Sequence, residues 1–120
     1  NFPGVDVGQT NIPASFPTVI TNLGNYEGEL SVTGHHLYGA LNQIESIPTN
    51  LFKVSITSST VCSSGAPLTN GSSVLIPGSF LSKGQSSSRQ LYYCLTSVPA
   101  LISQQPYSTL PGFGWKINMN

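Results

Sequence analysis

Apolar and polar side chains alternate along this chain over short stretches, and each stretch is bounded by residues that favour turns. Over residues 26–32, Tyr26, Leu30 and Val32 fall on one face with Gly28 between them, while Glu27, Glu29 and Ser31 fall on the other. This period of two predicts a strand with one solvated face. Phe52, Val54 and Ile56 alternate within residues 51–59, where the run of Val, Ile, Ser and Thr favours a strand over a helix. Residues 74–76 lie between Asn70-Gly71 and Pro77-Gly78, two turn signals, and predict a short buried strand. Over residues 90–96, Leu91, Tyr93 and Leu95 share one side, with Tyr92 and Cys94 on the other. Trp115, Ile117 and Met119 alternate with Lys116, Asn118 and Asn120, which predicts a terminal strand with an apolar face. Residues 16–21 predict an edge strand, since an edge tolerates Pro17.

One segment has a different period. Ala40, Leu41, Ile44 and Ile47 recur at helical spacing, with Leu37 a turn earlier, Thr33 as a cap and Pro48 as a stop. An amphipathic helix is therefore predicted over residues 34–46, weakened by Gly39 by up to ~1 kcal/mol. Residues 1–17, rich in proline and glycine, read as an irregular surface arm, and residues 22–25 as a turn. The serine-rich stretch 82–89, with Gly84, reads as a mobile loop. Pro99 suits either the first turn of a short helix over 98–105 or a loop ending at Pro106. The expected fold class is α+β and mainly β: an antiparallel sheet of about six short strands with one amphipathic helix.

Composition narrows the chemistry. With 120 residues the chain is expected to form a single domain over 1–120. Only 7% of its residues are charged, against about 25% in an ordinary domain, so neutral polar side chains carry its solubility. Cys62 and Cys94 are the two cysteines. An even count in so lysine-poor a chain reads as one disulfide from an oxidising compartment, the alternative being two buried thiols. The expected location is extracellular or on a cell or virion surface.

Four basic residues (Lys53, Lys83, Arg89, Lys116) balance four acidic ones and are scattered, so nucleic acid and anionic membrane surfaces lack the cationic footprint they require. No stretch is long and apolar enough to read as a membrane span. A chain that starts at Asn1 reads as a processed or excised piece. His35 and His36 are adjacent and point apart, and the cysteines lack zinc-knuckle spacing, so no metal or other cofactor is expected. Asp6 is the one aspartate, no Gly-x-Ser-x-Gly elbow occurs, and Glu27 with Glu29 read as a solvated strand face, so no catalytic residues and no enzyme activity are expected. The sequon at Asn70-Gly71-Ser72 reads as a chance match in a serine-rich chain.

Aromatic side chains beside neutral amides and hydroxyls are the better recognition material. Tyr26, Tyr93 and Trp115 share faces with aliphatic residues and read first as core, whereas Tyr107 and Phe113, set among prolines and glycines, read as exposed contacts. Tyr107, Phe113 and Trp115 together form the candidate binding surface.

Residues 12–15 (Ile-Pro-Ala-Ser), Thr21-Asn22, and the run from Asn25-Tyr26-Glu27-Gly28 to Gly34 resemble the globular domain of type IVb pilins. Ile44-Glu45-Ser46-Ile47-Pro48 is similar to that family's strand ending at a proline, and the cysteine pair resembles its disulfide-bounded region. The resemblance implies a pilin-like roll, with strand before Pro48 and helix after it, where periodicity alone predicts the reverse; a small β-sandwich is the other expected architecture. It also implies a noncatalytic subunit of an extracellular filament, partnered by other subunits. The alternative is a tip domain of an adhesin, phage fibre or virion that binds a cell-surface receptor or glycan. A filament subunit needs two different apolar patches for head-to-tail contact, and a tip module needs one aromatic cleft.

Overall fold

The computed structural model describes residues 7–15, 17–22, 26–57, 62, 65–83, 87–99 and 105–119. In chain order the strands are β1 (Thr10–Pro13), β2 (Thr18–Asn22), β3 (Leu30–Thr33), β4 (Leu37–Gly39), β5 (Ser46–Ile47), β6 (Phe52–Ser55), β7 (Ala66–Pro67), β8 (Ser73–Leu75), β9 (Ser87–Ser97), β10 (Tyr107–Ser108) and β11 (Lys116–Met119). All the strand pairs among them are antiparallel.

β9 organises the domain. β1 and β2 pair with successive stretches of it, and β6 pairs with its later half and carries β7 beyond. Alternation decides the faces: Phe52 and Val54 stand opposite Leu95 and Tyr93, while Lys53 stands opposite Cys94. The first four side chains face inward, where Phe52, Val54, Leu91 and Leu95 join Leu30 and Val32 in one apolar cluster. Leu30 and Val32 belong to a second sheet, β11-β3-β8. The molecule is 19 Å across its shortest dimension, which suits two sheets about 10 Å apart. A third small sheet is ordered β10-β4-β5.

Cys62 and Cys94 are joined in a disulfide, and both are buried. The bond ties residue 62 to the middle of β9, and the Cys62 N–H is accepted by Asn11 Oδ1 at 3.1 Å.

The expected helix over 34–46 does not form, and no α-helix occurs among the described residues. The segment is instead β4, a loop over 40–45 and β5, paired as a hairpin. Helical spacing would stabilise a helix only if its apolar stripe were buried. Leu41 and Ile44 are 85% and 92% exposed, so no such burial exists to offset the cost of Gly34 and Gly39. Strand β5 ends before Pro48, and a short 3-10 turn, Thr49–Leu51, leads into β6.

Several other expectations change. The arm over 1–17 includes β1, whose backbone pairs with β9; residues 1–6 and 16 lie outside the described residues. Tyr26 is exposed and precedes the strand, which begins at Leu30. Of the expected buried strand over 74–76, Val74 and Leu75 belong to the edge strand β8, where Val74 is half-buried and Leu75 exposed, and only Ile76 just beyond it is buried. Ser87, Ser88 and Arg89 are part of β9, because β2 supplies them with a paired edge, and 84–86 lie outside the described residues. So do 23–25 of the turn over 22–25, 58–59 of the strand over 51–59 and 100–104 of the stretch 98–105. In β11, Ile117 packs on the core while Met119 remains exposed.

Tyr93 offers a direct check on the packing between the sheets. Burial pushes its phenol above the ordinary 10.0, against a weaker lowering by its hydrogen bond with Thr18. A raised folded-state value favours the neutral phenol, so this contribution is complete below the unfolded value and is lost as pH rises through the folded one. Thermal melts from pH 10.0 upward are expected to fall more steeply for the parent than for Tyr93→Phe; equal slopes would place Tyr93 in water.

Candidate functional site

The segment after β3 is held by its own backbone. Gly34 forms a parallel bridge with Asn70, and the Gly71 N–H donates to the Gly34 carbonyl at 2.8 Å. A Cβ at Gly34 would lie 2.8 Å from Thr49 Cγ2 and 3.3 Å from both Leu68 and Trp115, so glycine permits this close approach. Gly71, at φ +75°, closes the turn that presents Asn70.

Two backbone N–H groups then orient two side chains. The His36 N–H donates to Asn70 Oδ1 at 3.0 Å, and the buried Thr49 N–H donates to His36 Nδ1 at 2.9 Å. A backbone N–H can only donate, so Nδ1 is the unprotonated nitrogen of neutral His36 and Nε2 carries the hydrogen. By the same reasoning the Asn70 oxygen faces His36 and its NH2 group is turned elsewhere.

Trp115 supports the site from beneath. Its Nε1–H donates to the His35 carbonyl at 2.9 Å, and its ring meets Phe52 edge-on at 5.1 Å and Tyr93 at 6.1 Å. Phe113 follows a turn in which Gly112 adopts φ +85° and the Phe113 N–H donates to the Leu110 carbonyl at 3.0 Å. The Phe113 ring is 51% exposed and meets His35 edge-on at 5.4 Å.

These parts enclose an open cleft of about 140 Å³ lined by His35, His36, Tyr38, Asn70, Leu110 and Phe113. Its size is close to the ~150 Å³ cavity that admits benzene and well below the 300–1,000 Å³ of drug-sized sites. One ring or one side chain fits. The lining holds no carboxylate, lysine or arginine.

Of the three residues expected to form a binding surface, only Phe113 lines this cleft. Trp115 is half-buried and positions His35. Tyr107 lies in β10, packs on the core, and has its hydroxyl 3.4 Å from Gln105 Nε2. His35 and His36 are half-buried and lie between β3 and β4, outside any strand. Tyr38 and Asn70 were legible only as an aromatic residue and a turn residue; Leu110 carried no signal.

Two exposed apolar sets lie elsewhere. In the loop over 40–45, Gln105 Oε1 accepts the Leu41 and Asn42 N–H groups at 2.7 and 2.9 Å, and the Pro106 carbonyl accepts the Ala40 N–H at 2.8 Å. Leu41 and Ile44 therefore project from an ordered loop. At the other end of β3, Asn22 Nδ2 donates to the carbonyls of Tyr26 and Ser82 and lies 3.9 Å from Met119 Sδ. This brings the Tyr26 backbone near Met119, and both side chains are exposed, Tyr26 by 81%.

Comparisons with protein-family models, with curated proteins and with solved structures find no match.

Proposed function

We propose that this chain is a noncatalytic subunit of an extracellular, pilus-like filament. The observation that carries this reading is the pair of separate apolar sets, Leu41 with Ile44 and Tyr26 with Met119, at opposite ends of the path from β3 to β4. A head-to-tail contact joins two different patches of the same chain and continues without closing. The low charge removes the like-charge repulsion that opposes such stacking. A disulfide suits an oxidising exterior.

Sedimentation velocity over a concentration series, with electron microscopy of the concentrated sample, tests it. The parent is expected to associate into open chains, and Leu41→Ser/Ile44→Ser and Tyr26→Ser are each expected to block elongation. Each substitution lies on the surface and should change stability by no more than about 0.5 kcal/mol. Mixed together, the two variants are expected to stop at a dimer, since each retains one intact patch. A parent that stays monomeric throughout overturns the reading.

The cleft favours a second reading, a tip domain that binds a receptor or glycan. Its exposed Phe113 ring beside neutral hydrogen-bonding groups is the specific observation in its favour.

A further inference from the structure

We propose that the cleft between residues 34–38, Asn70 and Phe113 binds a neutral saccharide through an acetamido group. The inference rests on the tip-domain reading and is independent of the filament contacts.

The cleft has few polar groups left to offer a ligand. Asn70 gives its oxygen to the His36 N–H, so its remaining polar group is the NH2. His36 gives Nδ1 to the Thr49 N–H, so its remaining polar group is Nε2–H. Neither nitrogen has a partner among the described residues, and neither does the Tyr38 hydroxyl. The orientations of Asn70 and His36 are imposed by backbone donors and cannot invert without leaving those donors unpaired. The cleft thus holds two fixed donors before any ligand arrives, beside the Tyr38 hydroxyl and the His35 ring, which can donate or accept, so a ligand that satisfies the fixed pair must bring acceptors.

Charge then selects among acceptors. Carboxylates and phosphates are recognised by Arg and Lys through charge-assisted bonds, and the lining has neither. A neutral carbonyl or a cluster of sugar oxygens suits it better. Phe113 adds a ring face for the C–H side of a sugar, and Leu110 adds an apolar wall for a methyl group. An acetamido substituent combines a strong neutral acceptor with that methyl. The volume, about 140 Å³, suits the acetamido group and the adjoining edge of one sugar ring, with the rest of the saccharide outside the open cleft. A peptide would supply carbonyls too, but it needs a longer groove than this single-ring recess.

The test is titration of the 120-residue protein at neutral pH with N-acetylglucosamine and N-acetylgalactosamine, with glucose as the reference, read by two-dimensional amide spectra and saturation transfer. At least one acetamido sugar is expected to bind with a Kd on the order of 1–10 mM, as suits a small ligand, and about tenfold more tightly than glucose. The Asn70 side-chain amide and the residues around Phe113 should shift on binding. Asn70→Asp keeps the acceptor for the His36 N–H and removes the outward donor; Phe113→Ala removes the ring from an exposed position. Each is expected to weaken binding about tenfold or more while leaving the thermal melt within a few degrees. Equal binding of glucose overturns the acetamido assignment and leaves the tip-domain reading standing. Shifts confined to another surface, undiminished binding by Asn70→Asp, or no binding of any of the three sugars also overturns it.

Discussion

Removing the Cys62–Cys94 disulfide is expected to lower the stability of this domain by roughly 3–4 kcal/mol. The two cysteines are 32 residues apart, and closing a loop of that length removes that much conformational freedom from the unfolded chain. Set against a net stability of about 5–15 kcal/mol for a typical domain, the bond is a large share of the total. Its placement adds to this, because residue 62 is joined to β9 at Cys94, the residue opposite Lys53 in β6 and Pro13 in β1. Losing the bond loosens the strand that organises the domain. Melts with and without reductant, and of Cys62→Ser/Cys94→Ser, should show a fall of roughly 10–20 °C. A fall of only a degree or two would mean that the loop is already constrained in the unfolded chain.

Replacing Phe52 by alanine is expected to lower stability by about 3–5 kcal/mol, the range for deleting a fully buried aromatic ring. Phe52 is 2% exposed, stands opposite Leu95, and meets the Trp115 ring edge-on at 5.1 Å. The space left cannot collapse easily, because β6 is pinned by its pairing with β9 on one edge and β7 on the other. The effect should reach the cleft as well, since Trp115 carries the hydrogen bond to the His35 carbonyl. Denaturant unfolding and tryptophan fluorescence together check both parts. A large stability loss with an unchanged emission spectrum would confine the damage to the core.

The strands that were legible in the sequence are those whose alternation is enforced by burial on one side. Phe52 and Val54 in β6, and Leu91, Tyr93 and Leu95 in β9, fall on the faces that their spacing predicts. Ser87 to Arg89 were not legible as strand, because serine and arginine have no apolar period and are ordered here by the backbone of β2. The stretch around Gly39 misled for the opposite reason. Leu37, Leu41, Ile44 and Ile47 have a helical period, but Gln105, 63 residues from Asn42, supplies the acceptor that shapes the loop instead.

The cleft was less legible than the fold. The shortage of charged residues pointed to neutral recognition, and Phe113 was selected for its place among glycines and prolines. Tyr107 met the same compositional test, yet it packs on the core from β10, and Trp115, which reads first as core, packs there too. Nothing local marks His36 and Asn70 as partners, since they lie 34 positions apart.

By itself, then, the sequence determined that this would be a mainly β domain with a disulfide and a neutral surface, because alternation, cysteine count and charge are local or additive properties. Only the tertiary structure decided that residues 37–47 form a hairpin, that Leu41 and Ile44 face solvent, and that His36 and Asn70 line a common cleft. Each of those outcomes depends on a hydrogen bond or a buried contact between segments distant in the chain, and no period along the sequence records such a contact.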